Sequence, residues 1–318
     1  MLPALVLTAG IGSRLDPLTR LVAKPAVPVA GRTLVERVIE WLRHQRVTNL
    51  VLNLHHRPET ITGVIGDGAH LGVRVRYSWE QPLLGSAGGP RRALPLLGAD
   101  TFLIVNGDTL CDFEIAPVVA RHHETGADVT MALVPNHAPD RYNSVVVDDD
   151  FRVRGFVPKG ARGPASSAWH FVGAQVVRAS LFAPLTDGVP AETVSALYKE
   201  GLSAHTLKVY ACEVGASFVD VGTPADYLAA AVQMCDAPRG RVVEAGADVD
   251  GSATLQTTVV WPGARVGANA ELTECIVAGH VDVPAGLRAN RAVLVPADLA
   301  RETDRAEVRG GVAIFPLT

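Results

Sequence analysis

Two basic and two acidic residues, far apart in the chain, stand in settings suited to phosphate chemistry. Arg14 closes the glycine-bearing run Thr8-Ala9-Gly10-Ile11-Gly12-Ser13-Arg14-Leu15, and Lys24-Pro25 follows shortly after. Backbone N–H groups approach a phosphate closely where no side chain intervenes, while Arg and Lys neutralise its oxygens, so this combination suits a triphosphate. Prolines at 17, 25 and 28 stiffen the segment. Asp108 in Asn106-Gly107-Asp108 and Asp220 ahead of Gly222-Thr223-Pro224 supply carboxylates. Magnesium takes one or two carboxylates plus phosphate oxygens and keeps several waters, so two aspartates at strand ends beside such a loop suffice to bind it.

Each residue alone has a plainer reading. Arg14 and Lys24 are surface charges, Asp108 closes a turn, and Asp220 precedes a helix over 225–234 capped by Thr223. The glycine run is then a strand-to-helix turn that needs glycine for its backbone angles. A dinucleotide-binding loop would want a third glycine where Leu15 stands, and a P-loop would end in Gly-Lys-Ser/Thr. His55-His56 and His122-His123 suggest a metal, but adjacent histidines on a strand face opposite ways and nothing acidic sits at a useful spacing.

The elements that must position these residues follow from periodicity. Apolar runs at Leu5–Thr8, Asn49–Leu54 and Thr101–Asn106 alternate with helical stretches at Thr33–His44 and Ser86–Leu97. That rhythm predicts an α/β domain with a mostly parallel sheet flanked by helices, whose ligands gather at the carboxyl ends of the strands. Apolar positions 34, 35, 38, 39, 41 and 42 form the stripe of an amphipathic helix, with Thr33 as its N-cap. After about Pro238, Val249/Leu255, Val260/Val266, Val266/Leu272 and Val277/Val283 fall six residues apart with small residues between. That period predicts a short left-handed β-helix, so the chain is read as a first domain over 1–236 and a repeat domain over 237–318. With two or three coils, the second needs burial against the first or against another subunit.

Composition narrows the function. A 318-residue chain that is 48% hydrophobic can bury a sizeable core. A net charge of −4 without a basic block argues against nucleic acid. Cys111, Cys212, Cys235 and Cys275 are scattered, which suits a reducing compartment rather than a disulfide framework. No run approaches a membrane span and no basic leader precedes the first strand, so the expectation is a soluble cytoplasmic protein.

Gly10-Ile11-Gly12-Ser13-Arg14-Leu15-Asp16-Pro17-Leu18-Thr19 with Lys24-Pro25 resembles the signature of the sugar-phosphate nucleotidylyltransferase family, which usually reads Gly-Gly-x-Gly-Thr-Arg-Leu. Leu84-Gly85-Ser86-Ala87-Gly88 resembles the family's base-binding Leu-Gly-Thr-Ala-Gly, Asn106-Gly107-Asp108 its first metal aspartate, and Phe218-Val219-Asp220-Val221-Gly222-Thr223-Pro224 the Trp-x-Asp-Ile-Gly-Thr-Pro that holds the second. The resemblance spans roughly residues 4–233.

It implies a Rossmann-like, GT-A type fold and a magnesium-dependent reaction of a nucleoside triphosphate with a sugar-1-phosphate, in a homo-oligomer with no nucleic-acid or membrane partner. Arg14 and Lys24 are the implied catalytic cations, and Asp108 and Asp220 the implied metal ligands. Ala9, Gly10, Gly12, Ser13, Gln81, Gly85 and Ser86 are the implied nucleotide contacts, and Asn143, Lys159 and Gly173 those of the sugar phosphate. Lys159 resembles the lysine of the family's Phe-x-Glu-Lys-Pro, and Trp169–Gly173 is read as a strand that either flanks the sugar pocket or packs in the core.

Two departures touch that pocket. Tyr142-Asn143-Ser144-Val145 replaces Tyr-Gly-Val-Val, and Pro158 stands where the family has a hydroxyl-binding glutamate. Asn143 is a candidate substitute for that polar group, although sequence does not bring the two positions together. Gln81 could pair with uracil or thymine, whereas Phe171–Val176 resembles mannose-1-phosphate guanylyltransferases, so guanine is the expected base. A non-catalytic, nucleotide-sugar-binding regulator is the competing class, and the retention of Lys24, Asp108 and Asp220 argues against it.

Overall fold

The fold is that of a computed structural model, which describes residues 2–164, 168–215, 218–235 and 237–318. Residue 236, the last of the segment read as the first domain, lies outside the described residues. Two compact units emerge, one of Met1–Gly10 with Val35–Phe218, the other of Ile11–Leu34 with Val219–Thr318.

Along the chain run β1 (Ala4–Leu7), α1 (Leu34–His44), β2 (Asn49–Leu54), α2 (Pro58–Ile65), β3 (Arg74–Trp79), α3 (Gly85–Leu97) and β4 (Thr101–Asn106). They are followed by β5 (Thr109–Cys111), α4 (Ala116–Thr125), β6 (Val129–Pro135), β7 (Ser144–Val147), β8 (Val153–Val157), β9 (Trp169–Arg178), α5 (Lys199–Ser203) and β10 (Val209–Glu213). Last come β11 (Phe218–Asp220) and α6 (Pro224–Cys235).

In the first unit nine strands form one sheet in the order β8-β7-β9-β4-β1-β2-β3, with β6 on β9 and β10 on β6. The β4-β1-β2-β3 half and the β6-β10 pair are parallel. Strand β9 is antiparallel to β4 and β6, so the sheet is mixed. Leu5, Val51 and Ile104 sit side by side in register and join one buried cluster with Met131, Leu133 and Val177. Helix α1 buries its apolar stripe as the periodicity requires: Leu34, Val35, Val38, Ile39 and Leu42 are all buried. Thr33, the expected N-cap, stands directly before α1 and ends the second strand of the small hairpin 28–33.

The second unit holds two parallel ladders. One stacks Thr254–Val260, Glu271–Val277 and Arg288–Pro296, the other Asp248–Val249, Arg265–Val266 and Asp282–Val283. Both step by 17 residues: Glu271 faces Arg288, and Val249, Val266 and Val283 align. Aliphatics six apart in sequence therefore occupy different ladders, and those one step apart stack on each other. Val260, Val277 and Leu294 form such a column in a core shared with Leu255 and Leu272. Residues 11–34 belong to this unit, not to the sheet that they leave.

Candidate functional site

In the second unit, the glycine-bearing segment does not open into a long helix. It folds as three 3₁₀ turns, Ser13–Leu15, Leu18–Arg20 and Lys24–Ala26, which corrects the strand-to-helix reading. Prolines 17 and 25 fit such turns and would break a continuing helix. Gly12 has φ +67°, and a Cβ there would lie 2.9 Å from the Cβ of Lys24. Its lack of a side chain therefore admits the lysine stem, and Lys24 is 7% exposed. Gly10, which closes the first unit's opening segment, is exposed, with nothing within 4 Å of where a Cβ would sit. Ser13 and Arg14 are exposed as well.

A second glycine in this unit marks where charges converge. A Cβ on Gly222 would lie 3.1 Å from Arg14 Nη1, 3.1 Å from Asp226 Oδ2 and 3.4 Å from Asp220 Oδ2. One guanidinium and two carboxylates, the first distant in sequence from the others, thus ring a point that only glycine leaves open. Below it α6 is capped reciprocally: the Thr223 N–H donates to Asp226 Oδ2 at 3.0 Å, and the Asp226 N–H donates to Thr223 Oγ1 at 3.2 Å. The capping role expected of Thr223 is met without engaging Asp220. Hard carboxylate oxygens beside an uncluttered backbone suit a magnesium ion.

In the first unit, the carboxyl ends of β1, β2 and β3 are tied by a buried polar network. The Thr8 N–H donates to Asn53 Oδ1 at 2.7 Å, Asn53 Nδ2 donates to Glu80 Oε1 at 2.7 Å, and Glu80 Oε2 accepts the Leu84 N–H at 2.8 Å. Glu80 therefore fixes the start of the Leu84-Gly85-Ser86 segment, while Gln81 beside it is exposed. Ala9 is buried at the end of β1. Gly107 approaches the same strand so closely that a Cβ would be 2.8 Å from the Leu7 carbonyl, which brings half-buried Asp108 to the sheet's edge.

Beside this edge lies a cavity of about 320 Å³ lined by Ser86, Asn106, Asn143, Gln175 and Glu192 among others. Ser86 Oγ donates to Glu192 Oε2 at 2.5 Å and accepts the Thr193 N–H at 2.9 Å. The Ala87 N–H reaches the Ala191 carbonyl at 2.8 Å, so the start of α3 is closed by residues 191–193. Tyr198 donates its hydroxyl to Gln175 Oε1 at 3.0 Å, and burial pushes its phenol up, so it stays a donor. The bond fixes the amide of Gln175, one of the residues that line the cavity.

Gly173 does not line the cavity. It forms a bulge in β9 at φ +82°, where a Cβ would be 2.6 Å from Asn106 Nδ2, so it makes room for Asn106. Asn143 and the segment carrying Lys159 are brought together: Asn143 Oδ1 accepts the Lys159 N–H at 2.9 Å. The extra side chain at 143 thus steadies the exposed lysine loop next to Pro158, a proximity that sequence left open.

Asn53, Glu80, Asn106, Gln175, Glu192 and Asp226 are not among the site residues that the sequence suggests. Asn53 carried a signal, a polar residue inside an apolar strand run; Glu192 carried none, because its importance comes from a partner 106 positions away. His122 and His123 lie on α4 rather than on a strand. His122 is buried against Thr130, and desolvation pushes it down to about 4, so it stays neutral. Cys111 is likewise inert, its thiol pushed by burial up to about 12. No helix among the described residues is long and apolar enough to cross a membrane.

Known proteins resemble this chain in sequence and in fold. A family model described as nucleotidyl transferase matches residues 3–237. The mannose-1-phosphate guanylyltransferase of Mycobacterium tuberculosis is 28% identical over 294 residues, which cover 89% of this chain and 81% of that protein. The UTP–glucose-1-phosphate uridylyltransferase of Synechocystis is 29% identical over 237 residues, 70% of this chain and 61% of that one. Among solved structures, HddC from Yersinia pseudotuberculosis complexed with GMP-PN superposes with a TM-score of 0.64 at 24% identity, covering 74% of this chain and 100% of that one.

Proposed function

We infer the activity from one premise: this chain belongs to the nucleotidyl transferase family. It is a sugar-1-phosphate nucleotidylyltransferase, in which a phosphate oxygen of the sugar-1-phosphate attacks the α-phosphorus of a nucleoside triphosphate in line and pyrophosphate leaves. The observation that carries this reading is the meeting of Arg14, Asp220 and Asp226 over Gly222. No protein nucleophile is needed, because phosphoryl-type transfer depends mainly on positioning and charge stabilisation.

Arg14 and Lys24 neutralise the charge that builds on the transferring group and on pyrophosphate. Burial of the Lys24 stem supports this role, since it presents the ammonium from a fixed base. Asp108 and Asp220 would hold magnesium, which when bound supplies a hard positive charge at the phosphates. Ala9, Gly10, Gly12, Ser13, Gln81, Gly85 and Ser86 bind the nucleotide. Asn143 and Lys159 bind the sugar phosphate, and Gly173 serves through the room it gives Asn106. Glu192 supplies the pocket with the carboxylate that Pro158 does not.

GTP with mannose-1-phosphate or a related sugar is the favoured pair, on the name of the mycobacterial relative. The uridylyltransferase relative keeps UTP or dTTP as the alternative. Residues 1–236 are the catalytic domain and 237–318 a short left-handed β-helix that serves assembly into a homo-oligomer, a reading supported by the 17-residue register of both ladders. Four free thiols suit the cytoplasm.

Pyrophosphate release, screened with four nucleoside triphosphates against a panel of sugar-1-phosphates, tests the reading. One pair should dominate and both partners should be required. Tight binding of a nucleotide sugar with no release from any pair would favour the regulatory class instead.

A further inference from the structure

Residues 11–34 leave the sheet after Gly10 and pack with the carboxy-terminal end of the chain as one unit. The centre of that packing is Arg20, whose side chain is only 7% exposed. A guanidinium has five N–H donors, and all five are engaged. Nε donates to Asp16 Oδ1 at 2.8 Å and Nη2 to Asp16 Oδ2. Nη2 also donates to Asp304 Oδ1 at 2.9 Å, while Nη1 donates to Asp304 Oδ2 and to the Leu299 carbonyl at 2.7 Å. The Phe315 ring covers the group, with its centroid 5.2 Å from Cζ.

Further anchors follow along the loop. Leu21 fills a socket over Gly279, where a Cβ would come within 2.8 Å of it. The Pro28 carbonyl accepts the Tyr227 hydroxyl at 2.7 Å, itself bonded by Trp261 Nε1 at 2.7 Å. The Gly31 N–H donates to Glu244 Oε2 at 2.8 Å. Lys24 is thus bracketed by contacts to residues 227–315, and Arg14 stands two positions before Asp16, which Arg20 grips with two bonds.

We propose that Asp304 is a positioning residue for nucleotide transfer: acting through Arg20 and Asp16, it holds the turn that presents Arg14 in its binding shape before the nucleotide arrives. Fixing a residue's backbone costs conformational entropy, and a segment of isolated 3₁₀ turns has little regular structure of its own to offset that. A loop already ordered by the chain's far end spares the nucleotide that cost, which raises affinity without a new contact. The proposal rests on the activity inferred above, because it assigns the turn its ligand.

The test measures magnesium–nucleotide binding by calorimetry without sugar phosphate, and then steady-state kinetics, on wild type, Asp304→Asn and Asp304→Glu. Losing one charge-assisted pairing should raise the nucleotide Kd and KM about tenfold in Asp304→Asn, leave the sugar-phosphate KM within about twofold, and be largely reversed in Asp304→Glu. Circular dichroism and a melt above assay temperature show that the compared proteins are folded. Should Asp304→Asn not fold, Arg20→Lys keeps the charge but not the fork, and the same selective loss is expected of it. A folded variant that binds nucleotide as wild type does, or one in which both KM values rise equally, would overturn the positioning role alone. Wild-type protein that binds no nucleoside triphosphate would overturn the activity reading and this one with it.

Discussion

Two polar networks hold loops in this molecule, and they are built on opposite principles. Under the Leu84-Gly85-Ser86 segment, Thr8, Asn53 and Glu80 stand at the ends of neighbouring parallel strands, and a single carboxylate is satisfied by neutral donors. Under the Arg14 turn, a buried guanidinium joins Asp16 to Asp304, the latter 284 positions from Arg20 along the chain. A loop that stays beside its strand inherits its place from the adjacent strands; one that departs must be held by something else, here the segment that follows the ladders, with Leu299, Asp304 and Phe315. Damage to the first network leaves a polar group without a partner, whereas damage to the second leaves a charge, which is the costlier loss.

The comparison is broken most severely by changing residues that neither network contains. Asp220→Asn should lower kcat at least ~10³-fold with the melting temperature unchanged, since the proposed role of Asp220 is to hold magnesium with its charge. Stopped-flow pyrophosphate release at saturating magnesium measures it; near-normal turnover would remove Asp220 from the metal site. Lys24→Ala should cost about 10²–10³ in rate, because one charge-assisted bond to phosphate disappears, and an unchanged kcat/KM would take it out of the site.

Stability separates the two scaffolds. Glu80→Ala should lower unfolding free energy by about 2–4 kcal/mol, because Asn53 Nδ2 and the Leu84 N–H are left buried and unbonded. Urea melts give the value, and a change below the measurement error would mean that the network does not hold its loop. The smallest effect concerns pH. Arg20 holds Asp304 down to about 2, so that carboxylate stays charged at working pH. His122 behaves otherwise: its folded pKa lies at about 4, below the ordinary value of 6.5, so the fold favours the neutral ring. Its contribution is full above 6.5 and is lost as pH falls towards 4. Wild type should therefore lose about 2 kcal/mol more than His122→Gln between about pH 7 and 5. Parallel losses in the two proteins would show that the fold does not hold the ring's pKa below its ordinary value.

Much of this was legible in the residues. Apolar runs marked β2 and β4 to the residue, and the helical stripe of α1 emerged with its buried face as expected. The six-residue spacing after Pro238 distributes aliphatics between the two ladders, whereas the columns themselves follow the 17-residue step. What stayed hidden is non-local. Nothing at Glu192 announces Ser86, and nothing at Asp304 announces Arg20, since a charged surface-like residue reads the same whether solvated or paired. Gly12 also makes room for the Lys24 stem, an approach that depends on how three turns fold back on one another. The gap between Asn143 and Lys159 closed only in three dimensions.

The central claim is direct transfer of a nucleotidyl group to a sugar phosphate, with no step on the protein. Nucleoside triphosphate labelled at the α-phosphorus, mixed with excess enzyme and quenched during one turnover, tests it most directly. Label should pass to nucleotide sugar only when sugar-1-phosphate is present, and the denatured protein should carry none. Label retained on the protein, or released as free nucleotide at the same rate without the sugar phosphate, would contradict the account.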